Sequence, residues 1–208
     1  MSNEHRAYGW QTAEMNHSHA YLLPAVMRRL GDIKCRTTRL VDLGCGNGYV
    51  TRKLHGLGHE VIGIDAAPDG IAIAKEAYPE LRFEVASVYD DDLATIVGTE
   101  VDAVISLEVI EHLYSPRRLL EQAFAILRPG GALILSTPYH GYLKNLALSL
   151  LNGWDRHWSP AWEGGHIKFF SEKTLGDMAR EVGFRNVRFE GVGRAPLLWK
   201  SMVLLAEK

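Results

Sequence analysis

Residues Leu40 to Asp65 constrain what this chain can fold into more than any other stretch. They comprise an apolar run, Leu40-Val41-Asp42-Leu43, then three glycines in five residues, Gly44, Gly46 and Gly48. A short helical segment and a second apolar run, Glu60 to Ile64, lead to Asp65. Near-continuous apolar runs suit strands buried on both faces. Closely spaced glycines suit a loop that turns tightly and lets its backbone approach a ligand. A helix is expected from about Asn47, with Val50, Leu54 and Leu57 on one face and Gly56 and Gly58 ending it. Asp65 stands 21 residues after Gly44, at a strand's C-terminal end, where an acid can accept hydrogen bonds from a ribose diol. A tight turn without a ligand is the plain alternative to a nucleotide site.

Two ligand classes compete for such a loop. The dinucleotide fingerprint G-x-G-x-x-G/A needs a small third residue for close helix–strand packing. Counted from Gly44 and Gly46, that position is Tyr49, a misfit. The stretch instead resembles motif I of class I S-adenosylmethionine-dependent methyltransferases, an acidic residue followed by G-x-G-x-G. The resemblance implies a Rossmann-like α/β fold. Its seven-stranded, mostly parallel sheet has the order 3-2-1-4-5-7-6, with strand 7 antiparallel, helices on both faces and a cap insertion after strand 5. It also implies S-adenosyl-L-methionine as cofactor, with contacts from Asp42, Gly44, Gly46, Asn47, Gly48, Asp65, Ala66, Ser87, Val88 and Leu107. The glycine loop would hold the methionine part, Asp65 the ribose, and the loop at Ser87 and Val88 would meet the adenine.

Strand and helix patterns alternate along the rest of the chain. Asn16 to Leu30 reads as a helix with Ala20, Leu23, Met27 and Leu30 on one side, despite Pro24. A second helix starts at Pro68. Strands are expected over Leu81 to Val85, Val101 to Ser106, Ala132 to Ser136, Asn186 to Glu190 and Ser201 to Ala206. Asp90-Asp91-Asp92 suits a solvated helix start. Ser115-Pro116 suits an N-cap and first helical position. Arg128-Pro129-Gly130-Gly131 is expected to break the helix that follows. Ser171 is expected to cap a helix bearing Leu175, Met178, Ala179 and Val182, closed by Gly183. This alternation implies a mainly parallel sheet between helix layers. At 208 residues the chain reads as one domain over 1–208, with an N-terminal cap segment at 1–37 and a substrate-cap insertion at 138–170. In the methyltransferase family the helix before strand 1 closes over the cofactor. That would bring His17, Ser18, His19 and Tyr21 to the site, although each histidine alone reads as an exposed or capping imidazole.

The fourth strand runs into Glu108-Val109-Ile110-Glu111-His112. This resembles the E-x-x-E-H motif of the ubiquinone-biosynthesis O-methyltransferases. The resemblance implies a divalent metal, commonly Mg²⁺, on Glu108, Glu111 and His112. Such a cation would lower the pKa of a hydroxyl to be methylated. Mg²⁺ prefers oxygen ligands, so a metal-free site with His112 as general base stays open beside it. The sulfonium is already an activated donor, and the protein need only align the nucleophile and remove its proton. Glu111, His112 and His140 are the catalytic candidates, and Tyr139, His140 and His166 the substrate contacts. The insertion after strand 5 also carries Leu143, Leu146, Ala147, Leu150 and Leu151 at helical spacing. With Lys144 as its single cation, this helix is expected to pack its apolar face on the domain rather than on a membrane or prenyl tail.

Composition narrows the partners. A net charge of −2 gives no general attraction to nucleic acid, and no N/D-P-P-Y/F motif follows strand 4. Only two cysteines occur, Cys35 and Cys45, which reads as a reducing cytoplasm with free thiols. No apolar run reaches about 18 residues, so no membrane span is expected, and Met1 to Gln11 lacks the apolar core of a leader. The expected function is methyl transfer from S-adenosylmethionine to a small molecule, first to a hydroxyl oxygen of a phenol- or quinone-like acceptor. The alternatives are an amine or carboxylate acceptor, a non-catalytic S-adenosylmethionine-binding module, and a nicotinamide-dependent oxidoreductase.

Overall fold

Val41 and Leu43 face one side of the sheet and Leu40 the other, and all three are buried. Strand β1 (Arg39–Leu43) therefore has a core on both sides, as its unbroken apolar run requires. The computed structural model describes residues 9–31, 38–89, 92–158, 161–162 and 164–208. Cys35 and the pair Asp90-Asp91 lie outside them. The other strands are β2 (Glu60–Asp65), β3 (Arg82–Val85), β4 (Val101–Leu107), β5 (Leu127–Pro138), β6 (Arg185–Val192) and β7 (Ser201–Glu207). The sheet order is β3-β2-β1-β4-β5-β7-β6. The first five strands are parallel, and β7 pairs antiparallel with both β5 and β6. This is the order the resemblance implies.

The helices are α1 (His19–Gly31), α2 (Tyr49–His55), α3 (Pro68–Ala77), α4 (Leu93–Val97), α5 (Pro116–Ile126), α6 (Tyr142–Leu150), α7 (Trp154–His157) and α8 (Glu172–Val182). On one face, Val41, Ile62, Val104 and Leu133 pack with Leu93 of α4, Leu119, Leu120 and Ala123 of α5, and Leu175 and Ala179 of α8. On the other, Leu40, Val61, Ala103 and Ile105 pack with Leu22, Ala25, Val26 and Leu30 of α1 and Val50 and Leu54 of α2. The strand order reverses between β1 and β4. A crevice therefore opens at their C-terminal ends, where α/β sheets bind ligands.

Several local expectations are revised. Helix α1 buries Leu22, Ala25, Val26 and Leu30, and Ala20 is exposed. Its sequence is apolar around much of the circumference, and this choice of face leaves Pro24 exposed. Residues 128–131 do not end the helix in a loop. Strand β5 begins at Leu127 opposite Val101, bulges, and resumes pairing at Ala103 with Ala132. Gly130 N–H donates to the Lys208 carbonyl and Lys208 N–H to that of Gly131, so the breaker becomes a bulge held by the last strand. Ser115 precedes α5 without a side-chain cap bond, which leaves Pro116 as the start signal. By contrast Asp92 caps α4 through the Ala94 N–H, and Ser171 and Thr174 form a reciprocal capping box on α8.

The insertion after β5 departs furthest from expectation. Helix α6 turns its leucine stripe outward: Leu150 and Leu151 are 77% and 80% exposed. Leu143 and Leu146 are also exposed, and Lys144 is buried. Its inward side carries Lys144, Ala147 and Leu148, spaced i, i+3 and i+4. The expected packing of the apolar face on the domain is thus reversed, because the inward side is given to an ammonium group. No helix among the described residues is long and apolar enough to cross a membrane.

Candidate active site

The crevice holds a cavity of about 380 Å³. Its floor is the loop between β1 and α2. Gly44 adopts φ +87°, and a Cβ there would lie 2.3 Å from Val109 Cγ2. The loop and the segment after β4 can therefore approach only through glycine. Asp42, Gly44, Gly46, Asp65, Leu107, Glu108, His112 and His166 line the cavity, together with Trp10, Ser18, His19, Cys45, Val109 and Trp162. The Asp65 carboxylate accepts the Gly46 N–H and the Ala67 N–H, each at 2.8 Å. Burial raises its pKa and these bonds oppose the rise. Asp42 is 2% exposed and accepts the Thr51 hydroxyl at 2.6 Å. Burial, with the charge of Asp65 beside it, pushes its pKa up to about 7.

Other residues expected at the cofactor have different neighbours. Asn47 donates through Nδ2 to the carbonyls of Thr12 and Glu14 at 2.7 and 2.9 Å. Gly9 and Trp10 N–H groups bond Asp69 Oδ2. Residues 9–16 are thereby strapped across the glycine loop, with the Trp10 ring against Gly46. A Cβ on Gly48 would lie 2.8 Å from Ala74 and Phe83, so this glycine seats the loop on α3 and β3. Ala66 is exposed. Ser87 accepts the Tyr89 N–H, and Val88 packs in the core. None of these five lines the cavity.

At the end of β4 the chain turns sharply, with Glu108 at φ +56°. Non-glycine residues held at positive φ cluster at functional sites. Its carboxylate accepts Ser136 Oγ at 2.8 Å and Ser201 Oγ at 3.1 Å, and burial pushes its pKa up to about 7. Glu111 is fully buried. Thr137 donates to its Oε2 at 3.1 Å, but Oε1 has no hydrogen-bond partner among the described residues. That atom faces His112 Nε2 at 4.0 Å and His166 Nε2 at 3.9 Å. Burial, with Glu108 nearby, raises the Glu111 pKa well above the usual carboxylate range.

His112 Nδ1 lies 2.6 Å from the Gly164 carbonyl. A carbonyl only accepts, so Nδ1 carries the proton and Nε2 presents a lone pair toward Glu111. The Glu111 carbonyl in turn accepts the N–H groups of Ile167 and Lys168, which pins His166 beside it. One carboxylate oxygen and two imidazole nitrogens thus lie within 4.8 Å of one another. Their chemistry fits a divalent cation, and a backbone partner on the far nitrogen of a ligating histidine is the usual support. The expected ligand Glu108 is not in this group, since both its oxygens are held by serines, and His166 takes its place. The motif spacing pointed to Glu111 and His112. His166 lies 54 residues further on, where no local pattern could connect it to them.

A second cavity of about 270 Å³ adjoins the first and shares Glu108 and His166 with it. His17, Tyr21, His140, Lys144, His157, Trp158, Arg194 and Lys200 line it. His140 stands edge-on to Phe169 with ring centroids 4.5 Å apart. Burial, with Lys144 beside it, pushes its pKa down to about 4. Tyr139, expected as a substrate contact, packs its ring edge-on to Trp199 and lines neither cavity. Sequence reasoning missed Arg194 and Lys200, which sit in a segment without periodicity.

Comparison with known proteins bears on the family and the fold. Residues 15–188 match the family model described as a methyltransferase domain. The ubiquinone biosynthesis O-methyltransferase of Cereibacter sphaeroides is 33% identical over 164 residues, 77% of this chain and 66% of the relative. That of Ruegeria pomeroyi is 30% identical, covering 78% and 66%. The chain thus spans just under two thirds of the relatives it matches. Among solved structures, an S-adenosylmethionine-dependent methyltransferase from Mesorhizobium loti has TM-score 0.66 at 18% identity, covering 89% of this chain and 96% of that one. A magnesium protoporphyrin IX methyltransferase from Synechocystis, with bound SAH, has TM-score 0.65 at 19% identity, covering 97% and 90%. With the family model covering most of its length and the sheet order matching, the chain belongs to the methyltransferase domain family and has the class I methyltransferase fold.

Proposed function

We propose that this protein transfers the methyl group of S-adenosyl-L-methionine to a hydroxyl oxygen of a small-molecule acceptor. The observation that carries the reading is the junction of the two cavities. The larger borders the glycine loop and Asp65, the smaller borders the insertion after β5, and they meet at Glu108 and His166. A methyl donor in the first and an acceptor in the second would face each other there. Asp65, fixed by two backbone N–H groups, is suited to a ribose diol, and the Gly44 and Gly46 backbone lines the same cavity, where the methionine part would lie. Kinship with enzymes named for ubiquinone O-methylation supports oxygen as the acceptor atom.

The proton of that hydroxyl needs a destination. His112 Nε2 presents a lone pair at the cavity, and burial keeps this imidazole neutral to lower pH than usual, so it is suited to general-base work. Alternatively Glu111, His112 and His166 hold a divalent cation, the reading favoured by the orphaned buried oxygen of Glu111. A bound cation would supply Lewis acidity that makes the acceptor hydroxyl more acidic. Two imidazoles and one carboxylate suit Mn²⁺, Fe²⁺ or Zn²⁺ better than Mg²⁺.

Isothermal titration with S-adenosylhomocysteine, repeated with Mn²⁺ and after chelation, tests both parts. Micromolar binding is expected, with a Mn²⁺ heat that disappears in Glu111→Gln. Absence of binding at millimolar S-adenosylhomocysteine would remove the cofactor assignment and return attention to the nicotinamide alternative.

A further inference from the structure

Helix α6 is built the wrong way round for packing alone. It exposes Leu143, Leu146 and Leu150 and buries Lys144, which is 6% exposed. An ammonium group taken out of water is strongly disfavoured unless it is paired. Lys144 Nζ donates to the Tyr139 carbonyl at 2.7 Å and forms no ion pair among the described residues. It lines the second cavity with Arg194 and Lys200, and among the described residues the one carboxylate there is Glu108. The oxygens of Glu108 are held by Ser136 and Ser201. Lys200 Nζ is 2.8 Å from His17 Nε2 and lies over the Tyr21 ring at 5.1 Å, so it too meets no acid among the described residues. Among the described residues, three cations thus converge on a cavity that contains one acid, whose oxygens already accept two serine hydroxyls.

The charges in this cavity also oppose one another. Burial first, and then Arg194, depress the Lys144 pKa, which the charge of Glu108 only partly opposes, and Lys144 depresses those of His140 and His157. Mutual repulsion of this kind persists in a folded protein where a ligand of opposite sign relieves it. Trp158, stacked on Phe169 with ring centroids 4.4 Å apart, gives the same cavity an aromatic wall.

We propose that the second cavity binds a negatively charged group on the acceptor, a carboxylate or phosphate, through Lys144, Arg194 and Lys200. The inference rests on the methyltransferase reading only in calling the bound molecule the acceptor. The anion would sit at the insertion side of the cavity and direct the rest of the molecule toward Glu108 and His166.

The test uses benzoate, phenyl phosphate and the neutral benzamide as probes, titrated into the whole protein by ligand-observed NMR, with and without S-adenosylhomocysteine. At least one anion is expected to bind about tenfold more tightly than benzamide, the size of one charge-assisted hydrogen bond. The better of the two distinguishes carboxylate from phosphate. Lys144→Met and the surface change Arg194→Gln are each expected to weaken that anion about tenfold and leave benzamide unchanged. Lys144→Met should also melt at a higher temperature than the parent, since it removes a buried charge that forms no ion pair among the described residues, which separates lost binding from lost folding. Equal affinity for benzamide and both anions, or unchanged anion affinity in both variants, would overturn the proposal. S-adenosylhomocysteine binding without anion preference overturns this inference alone. Anion preference without S-adenosylhomocysteine binding overturns the methyltransferase reading and supports the anion site.

Discussion

Replacing Asp42 by Asn should make the ligand-free protein more stable and its ligand binding weaker. Asp42 is buried at the end of β1, accepts one hydroxyl from Thr51, and faces the charge of Asp65. In the unfolded chain its carboxyl ionises near pH 3.9, whereas in the folded protein burial holds its pKa at about 7. As the pH rises from 4 to 7 the unfolded state gives up this proton and the folded state keeps it. The folded state therefore loses about 4 kcal/mol relative to the unfolded chain by pH 8. Asn is isosteric, neutral, and can still accept the Thr51 hydroxyl. The variant is expected to melt about 10 °C above the parent at pH 8. At pH 4 the gain shrinks to about half a kcal/mol. Differential scanning calorimetry at both pH values measures this. A cationic ligand in the cavity restores the use of the ionised carboxylate, so affinity for S-adenosylhomocysteine, which carries an ammonium, should fall about tenfold. An unchanged melting temperature at pH 8, or an equal gain at pH 4 and pH 8, would refute burial of this carboxyl as the source of the effect.

Three further outcomes follow from the same geometry. Gly44→Ala puts a methyl 2.3 Å from Val109 Cγ2 at φ +87°, so urea unfolding should show a loss of about 2 to 3 kcal/mol, and S-adenosylhomocysteine binding should vanish with it. Among the acids and histidines at the end of β4, His166→Ala should abolish Mn²⁺ binding measured by electron paramagnetic resonance, while Glu108→Gln should retain it, and the reverse pattern would restore Glu108 as the ligand. Ser171→Ala removes the reciprocal cap of α8 and should lower stability by about 1 kcal/mol in urea, without altering S-adenosylhomocysteine affinity, because α8 lies on the face away from α1 and α2.

Much of this protein was legible along the chain because the information was local. The unbroken apolar runs of β1 and β2 state that both faces are covered, and the glycines between β1 and α2 state a tight loop at their end. The spacing of Leu175 and Ala179 behind Ser171 marks α8 and its start with no knowledge of the sheet. The sheet order came from the likeness of motif I to a known family, since nothing in periodicity says that β7 turns back between β5 and β6.

What tertiary structure alone decided are the matters that depend on distant residues meeting. Apolar patterning finds the α6 stripe but not the side the helix turns inward, and the inward side went to Lys144 because the second cavity lies there. Helix α1 was apolar on more than one face, and packing against Leu40 and Ala103 selected Leu22 and Val26. Glu108 and Glu111 read as equivalent acids in E-x-x-E-H, yet two serines from β5 and β7 hold one, and the other meets His112 and His166. Local residue order determines which strands, loops and helices form, because those depend on spacing within a few residues. Only the packed fold determines which side chains share a cavity, because that depends on residues dozens of positions apart being brought within a few ångströms.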